Sequence, residues 1–296
     1  MPIAIDVGSE IRAVMFTANG EYLVGGGKYG VRVWRVTDMK LMATMKVDQM
    51  SVYCLAVSTD GSWIAAGTLW GEVVVWNSKT YEKVCRFKED DETIWGIDFS
   101  PDSTRLVAAR QSSTAIVWDR PLGKKVQTLE HSGLLRAVKY SPLGDRIATA
   151  TLDSVRVWVS NDGHWHLLVD IEAGVEPWYN TGLCWFKNHI FVVSEDEIKQ
   201  FDVLTRSEVS RWPTKSDRYS CIILSQRGEF IAYSTTRTIT FWDASTHAQL
   251  AVIDLPQDIH PIALSPDDQF LAISEEEKIT FQSVSHITVS IVFFAP

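Results

Sequence analysis

Few residues in this chain are spaced to do chemistry. His164 and His166 form the one close histidine pair, in "HWH", two apart in a segment that reads as the start of a strand. A metal would need further donors, and no Cys/His cluster, H-E-x-x-H or spaced D-x-D-x-D-G loop accompanies them. His131 and Asp153 invite reading as a catalytic pair, but no nucleophile is placed with them, and no G-x-S-x-G elbow occurs. The glycine-rich "VGGGKYG" (24–30) lies between two strand-like runs rather than ahead of a helix, so it does not read as a phosphate cradle. No catalytic residue, metal or cofactor is expected.

The bulk properties narrow the classes. The 296 residues carry a net charge of −9. That argues against a nucleic-acid binder, which gathers Lys and Arg on one face. Cys54, Cys85, Cys184 and Cys221 are far apart and lie in apolar or alternating runs, as reduced thiols in a cytoplasmic or nuclear protein would. The opening "MPIAIDVGSE" lacks a basic stretch and a long apolar run, so neither a signal peptide nor membrane attachment is expected.

The strongest signal is repetition. The aromatic residues ending V/I-x-V/I-W-like runs are Trp34, Trp76, Trp118, Trp158, Phe201, Trp242 and Phe281, spaced by 39 to 43 residues. Turn clusters such as "STDGSWI" (58–64) and "SPDDQFL" (265–271) precede six of them, and the fifth unit lacks one. Within a unit the apolar alternation has period two. Unit two shows "VYCLAV", "SWIAAGT", "EVVVW" and "KVCRF" in turn, four short strands with no helical stripe. Seven such units predict an all-β, seven-bladed β-propeller of four-stranded antiparallel blades, since a twisted sheet buries both faces only between neighbours. The expected blades are 7–47, 48–89, 90–130, 131–174, 175–214, 215–254 and 255–294. Two segments compete to close the ring, "PIAID" (2–6) and "HITVSIVFF" (286–294).

These units resemble the WD-repeat (WD40-type) β-propeller family. The resemblance rests on Trp118-Asp119, Trp242-Asp243 and the variant Phe201-Asp202, on "SPD" at 100–102 and 265–267, and on His131 ahead of the fourth unit's first strand. In that family a His, a Ser/Thr, an Asp and the Trp form a buried hydrogen-bonded set. Here only unit four has the residues: His131, Thr149 or Thr151, Asp153 and Trp158. The divergent repeats also resemble, more loosely, propellers of fungal proteins with a NACHT/STAND-like switch domain. No G-x-x-x-x-G-K-[ST] occurs, so any such ATPase lies outside this chain, which would then be part of a larger multidomain assembly.

The resemblance implies a non-catalytic protein–protein scaffold or sensor. In its geometry the turns between second and third strands share one rim with the inter-blade loops. Trp70, Tyr29 and Arg237 occupy three such turns. Trp95, Trp178, Tyr179, Tyr219 and His260 lie in or near the loops, and so do the acidic runs "KEDDE" (88–92), "SEDE" (194–197) and "SEEEK" (274–278). Trp, Tyr and Arg are the residue types enriched among interface hot spots. The expected partner-binding residues are therefore Tyr29, Trp70, Trp95, Asp196, Arg237 and Glu276. The expected partner is a basic or extended protein or peptide, steered by the acidic loops. The alternatives are a small ligand or glycan on the same aromatics, or an enzyme with an axial site.

Overall fold

The computed structural model describes residues 3–47, 51–173, 182–194, 197–214, 221–275 and 277–285. They form seven antiparallel sheets of four strands each. Blade 1 runs outward through Ile11–Phe16, Tyr22–Gly27, Gly30–Arg35 and Leu41–Met45. Blade 2 follows with Val52–Val57, Trp63–Thr68, Glu72–Asn77 and Lys83–Lys88. Blade 3 has Ile94–Phe99, Arg105–Arg110, Thr114–Asp119 and Lys124–Glu130. Blade 4 has Leu135–Tyr140, Arg146–Thr151, Val155–Asn161 and His164–Ile171. Blades 5 and 6 span 183–213 and 221–254, and blade 7 begins at Ile259.

Each inner strand touches the inner strand of the next blade, and the inner strand of blade 7 touches that of blade 1. The ring is closed. Between blades the two facing sheets share apolar clusters. One of them joins Val73, Val75 and Phe87 of blade 2 to Ile97, Leu106 and Trp118 of blade 3. The repeat aromatics Trp34, Trp76, Trp118, Trp158, Phe201 and Phe281 are all buried, and Trp242 is partly so. In blades 1 to 6 the third and outer strands slip register beside this residue, for example between Val75 and Trp76. The bulge makes room for the ring while the ladder continues.

The fifth unit compresses as its sequence suggests. Lys187, at positive φ, turns Leu183–Phe186 straight into His189–Ser194. The glycine run serves packing. An added Cβ on Gly25 would sit 2.8 Å from Trp34, on Gly26 2.5 Å from Val52, and on Gly27 2.2 Å from the Glu10 carbonyl.

The closing position is filled by Ile3–Asp6, which pairs antiparallel with Lys278–Ser283 from Ile3 opposite Phe281 to Asp6 opposite Lys278. It forms the outer strand of blade 7. The rival segment 286–294 lies outside the described residues.

Candidate functional site: one rim of the ring

The start of each inner strand pairs with the end of the second: Ile11 with Gly27, Val52 with Thr68, Ile94 with Arg110, Leu135 with Thr151. Antiparallel order thus puts the inner-strand starts, the second-to-third turns and the inter-blade links on one rim. Tyr29 and Trp70 sit in the turns of adjacent blades and are 53% and 51% exposed. Lys28 and Arg32 flank the Tyr29 ring, with cationic atoms 5.6 and 5.8 Å from its centroid. The Trp70 turn is held by its backbone. A Cβ on Gly71 would lie 2.1 Å from the Asp90 carbonyl, and Thr93 Oγ1 donates to the Leu69 carbonyl at 3.0 Å. About half of Trp70 faces water.

Closer to the axis, each of the first four inner strands bulges one residue from its start. The bulges fall between Ile11 and Ala13, Val52 and Cys54, Ile94 and Gly96, and Leu135 and Ala137. The residues turned out of the ladder are Arg12, Tyr53, Trp95 and Arg136. They touch in sequence around the ring. Arg12 lies 4.6 Å over Tyr53, Tyr53 meets Trp95 edge-on at 5.4 Å, and Arg136 lies 4.6 Å over Trp95. A guanidinium over an aromatic face is attracted by the ring quadrupole. Bulges re-aim side chains in this way at functional sites. Of these four, the partner-site expectation included only Trp95. The signal for the others was in the sequence, as "IRA", "VYC", "IWG" and "LRA" at the same place in four successive units.

Arg237 stands in the corresponding turn of blade 6, exposed and paired with Asp258 at 2.7 Å. It shares the rim with Tyr29 and Trp70, but blade 7 lies between blades 6 and 1. Asp196, Glu276, Trp178, Tyr179 and Tyr219 lie outside the described residues, as does the His260 side chain. The acidic loop 88–92 is largely compensated. Arg110 pairs with both Asp90 and Glu92, Lys88 with Asp91 at 2.6 Å, and Lys125 with Glu89 at 2.8 Å. Glu197 lies 3.4 Å from Arg211. In the 88–92 loop the carboxylates are thus ion-paired rather than free.

The buried set in blade 4 differs from its expected membership. His131 Nε2 is 2.7 Å from Thr149 Oγ1, and Trp158 Nε1 donates to the same oxygen at 2.8 Å. Thr149, and not Thr151, is the hydroxyl between them. Asp153 is exposed and contributes no side-chain bond to the ring. Its backbone N–H instead donates to Thr151 Oγ1 at 3.2 Å within the turn. The acceptor for His131 Nδ1 is the Leu129 carbonyl, 3.1 Å away. A backbone oxygen thus takes the place expected of a carboxylate, and the carboxylate keeps its hydration.

Among the described residues no group of three or more His, Cys, Asp and Glu side chains could hold a metal. His164 and His166 are exposed on either side of the buried Trp165. All four cysteines are free, and burial raises the Cys54 and Cys184 thiols well above the ordinary range.

The "WD domain, G-beta repeat" family profile matches residues 39–77, 81–119 and 123–159. Three successive units of the chain are thus WD repeats. The chain's fold is similar to the β-propeller domain of Myceliophteria thermophila Cps50 (Swd1), with a TM-score of 0.82 at 16% identity, covering 95% of this chain and 100% of that one. It is 22% identical over 232 residues to the serine-threonine kinase receptor-associated protein of Dictyostelium discoideum, 73% of this chain and 74% of that protein. It is 36% identical over 80 residues to WD repeat-containing protein 1 of Mus musculus, which covers 26% of this chain and 13% of that protein. Each matched WD repeat begins near the outer strand of one blade and ends with the third strand of the next. By the same offset, the outer strand preceding blade 1 belongs to blade 7, where Ile3–Asp6 is found.

Proposed function

We propose that this WD-repeat propeller is a non-catalytic interaction module that docks a protein or peptide on the rim carrying Tyr29 and Trp70. WD40 propellers are generally protein-interaction scaffolds, which supports the coarse reading. The observation that carries the finer one is the half-exposure of two large aromatics in adjacent hairpin turns, next to the Arg12–Tyr53–Trp95–Arg136 arc. Aromatic and arginine anchors near the centre of a rigid face are what an interface uses for most of its binding energy. An extended segment laid from the turns toward the axis would meet both groups. The net charge of −9 favours basic residues on that segment at long range, even though the nearest carboxylates are paired.

The test is cross-linking and capture from the source cells with three proteins. These are the wild type, a Tyr29→Ala/Trp70→Ala variant, and a Leu143→Asp variant altered in an exposed turn of the opposite rim. Partners held by the wild type should be lost on the double variant and kept on Leu143→Asp. Equal capture by all three would refute the assignment of this rim.

A further inference from the structure

One member of the arc is electrostatically unbalanced. Arg12 has Glu10 at 3.1 Å, and Arg110 on the same rim has Asp90 and Glu92. Lys139, three residues further along the same strand as Arg136, has Asp98 at 3.0 Å. Asp98 also accepts from the Tyr140 N–H at 2.8 Å. Arg136 forms no ion pair among the described residues, and its Nε is buried without a hydrogen-bond acceptor. Burial pulls the guanidinium below its ordinary pKa, with no charged neighbour contributing. Arginine keeps its charge under such conditions, so the desolvation is left uncompensated. The fold has paired the neighbouring cations and left this one open.

The geometry points to a ligand for it. We propose that Arg136, backed by Trp95, receives a carboxylate side chain from the extended partner segment. The proposal rests on the rim reading above and supplies the chemistry of its central contact. The Arg136 Cζ lies 4.6 Å from the Trp95 ring centroid and Nε is buried, which leaves the two terminal nitrogens as the pair of donors for a planar two-oxygen acceptor. A carboxylate matches that fork. A phosphate dianion would carry twice the charge toward the Asp90 and Glu92 side of the rim, where Arg110 is already shared between two acids. The recognised motif is therefore an acidic residue flanked by basic ones.

The buried Nε–Hε group of Arg136 reports on a carboxylate at the terminal nitrogens through the shared electronic system of the guanidinium. Protein labelled with ¹⁵N-arginine would be titrated with acetyl-Lys-Lys-Gly-Glu-Gly-Lys-Lys-amide and with versions carrying glutamine or phosphoserine at the centre. The Arg136 signal should move saturably with the glutamate peptide, and the glutamine version should bind about tenfold more weakly or worse, as loss of a charge-assisted pair implies. Arg136→Lys keeps the charge but loses the fork. It should weaken fluorescent-peptide binding about tenfold while melting near the wild-type temperature. Arg136→Gln gives a second variant should the lysine disturb folding.

Three results would overturn the proposal. The first is an equal response to glutamine. The second is a response to phosphoserine alone. The third is an Arg136 signal that shifts in ligand-free Glu176→Gln, which would mean that the chain's own segment between blades 4 and 5 supplies the carboxylate. Failure of the rim reading gives a different pattern: capture insensitive to Tyr29 and Trp70, with the Arg136 response to glutamate intact.

Discussion

His131 Nε2 and Thr149 Oγ1 lie 2.7 Å apart inside blade 4, and the direction of that bond fixes the protonation of the ring. The Leu129 carbonyl can only accept, so Nδ1 carries the proton and Nε2 is left as an acceptor. Thr149 then donates to His131 while accepting from the Trp158 indole. The relay Trp158 to Thr149 to His131 to Leu129 satisfies every polar atom in it without a charged residue.

Thr149→Val should therefore be costly. The indole N–H and the imidazole nitrogen would both lose their partner in a buried site, a loss of about 2–4 kcal/mol in urea unfolding. Thr149→Ser should recover most of it. Asp153→Ala should change stability by less than about 0.5 kcal/mol, because that carboxylate is in water. A large effect at Asp153 would restore it to the buried set.

The same relay makes stability depend on pH in one direction. Burial, with Arg156 nearby, lowers the His131 pKa from 6.5 to about 4. Above pH 6.5 the ring is neutral in both states and its contribution is fully present. As the pH falls below that value, the unfolded chain takes up a proton that the folded ring refuses until about pH 4. Stability should drop across that window by up to about 3 kcal/mol. His131→Gln should flatten this part of the profile of melting temperature against pH. A wild-type profile unchanged by that substitution would show that other groups set the slope.

The blade number and strand order were legible because the sheet period of two and the unit spacing near 42 both survive in the sequence. The relay was only partly legible. His131 and Trp158 carry type and spacing, but the acceptor of Nδ1 is a backbone carbonyl, and a carbonyl has no sequence signature. Asp153 misled because it stands where the family's carboxylate would. The Arg12–Tyr53–Trp95–Arg136 arc was hidden for a different reason. Its members share a position but alternate in chemistry, and what joins them is a bulge. The acidic run 88–92 is plain in the sequence, but its pairing with Arg110, Lys88 and Lys125 depends on where those cations end up in the fold.

Trp70 and Trp158 should separate binding from packing. Trp158 is 8% exposed and bonded to Thr149, so Trp158→Ala should cost about 3–5 kcal/mol as a core truncation. Trp70→Ala removes a half-exposed ring from a turn held by Gly71 and Thr93, so its melting temperature should stay within a few degrees of wild type. Peptide binding should respond in the opposite order. A strongly destabilised Trp70→Ala would make that indole part of the blade junction.

Ring closure can be tested on one strand with its own control. Ile5 is buried between blade 7 and blade 1 and pairs with Ile279, while its neighbour Ala4 is exposed. Ile5→Asp would bury a carboxylate without a partner and should cost about 3 kcal/mol or more. Ala4→Asp leaves the ladder intact and faces water, so it should be nearly neutral. Releasing the strand would also bare the edge of Lys278–Ser283, and an unpaired edge recruits other chains. Sedimentation velocity of Ile5→Asp should then show concentration-dependent association absent from Ala4→Asp. If the two variants behaved alike in both experiments, Ile3–Asp6 would not be what closes the ring in solution, and 286–294 would become the candidate for that position.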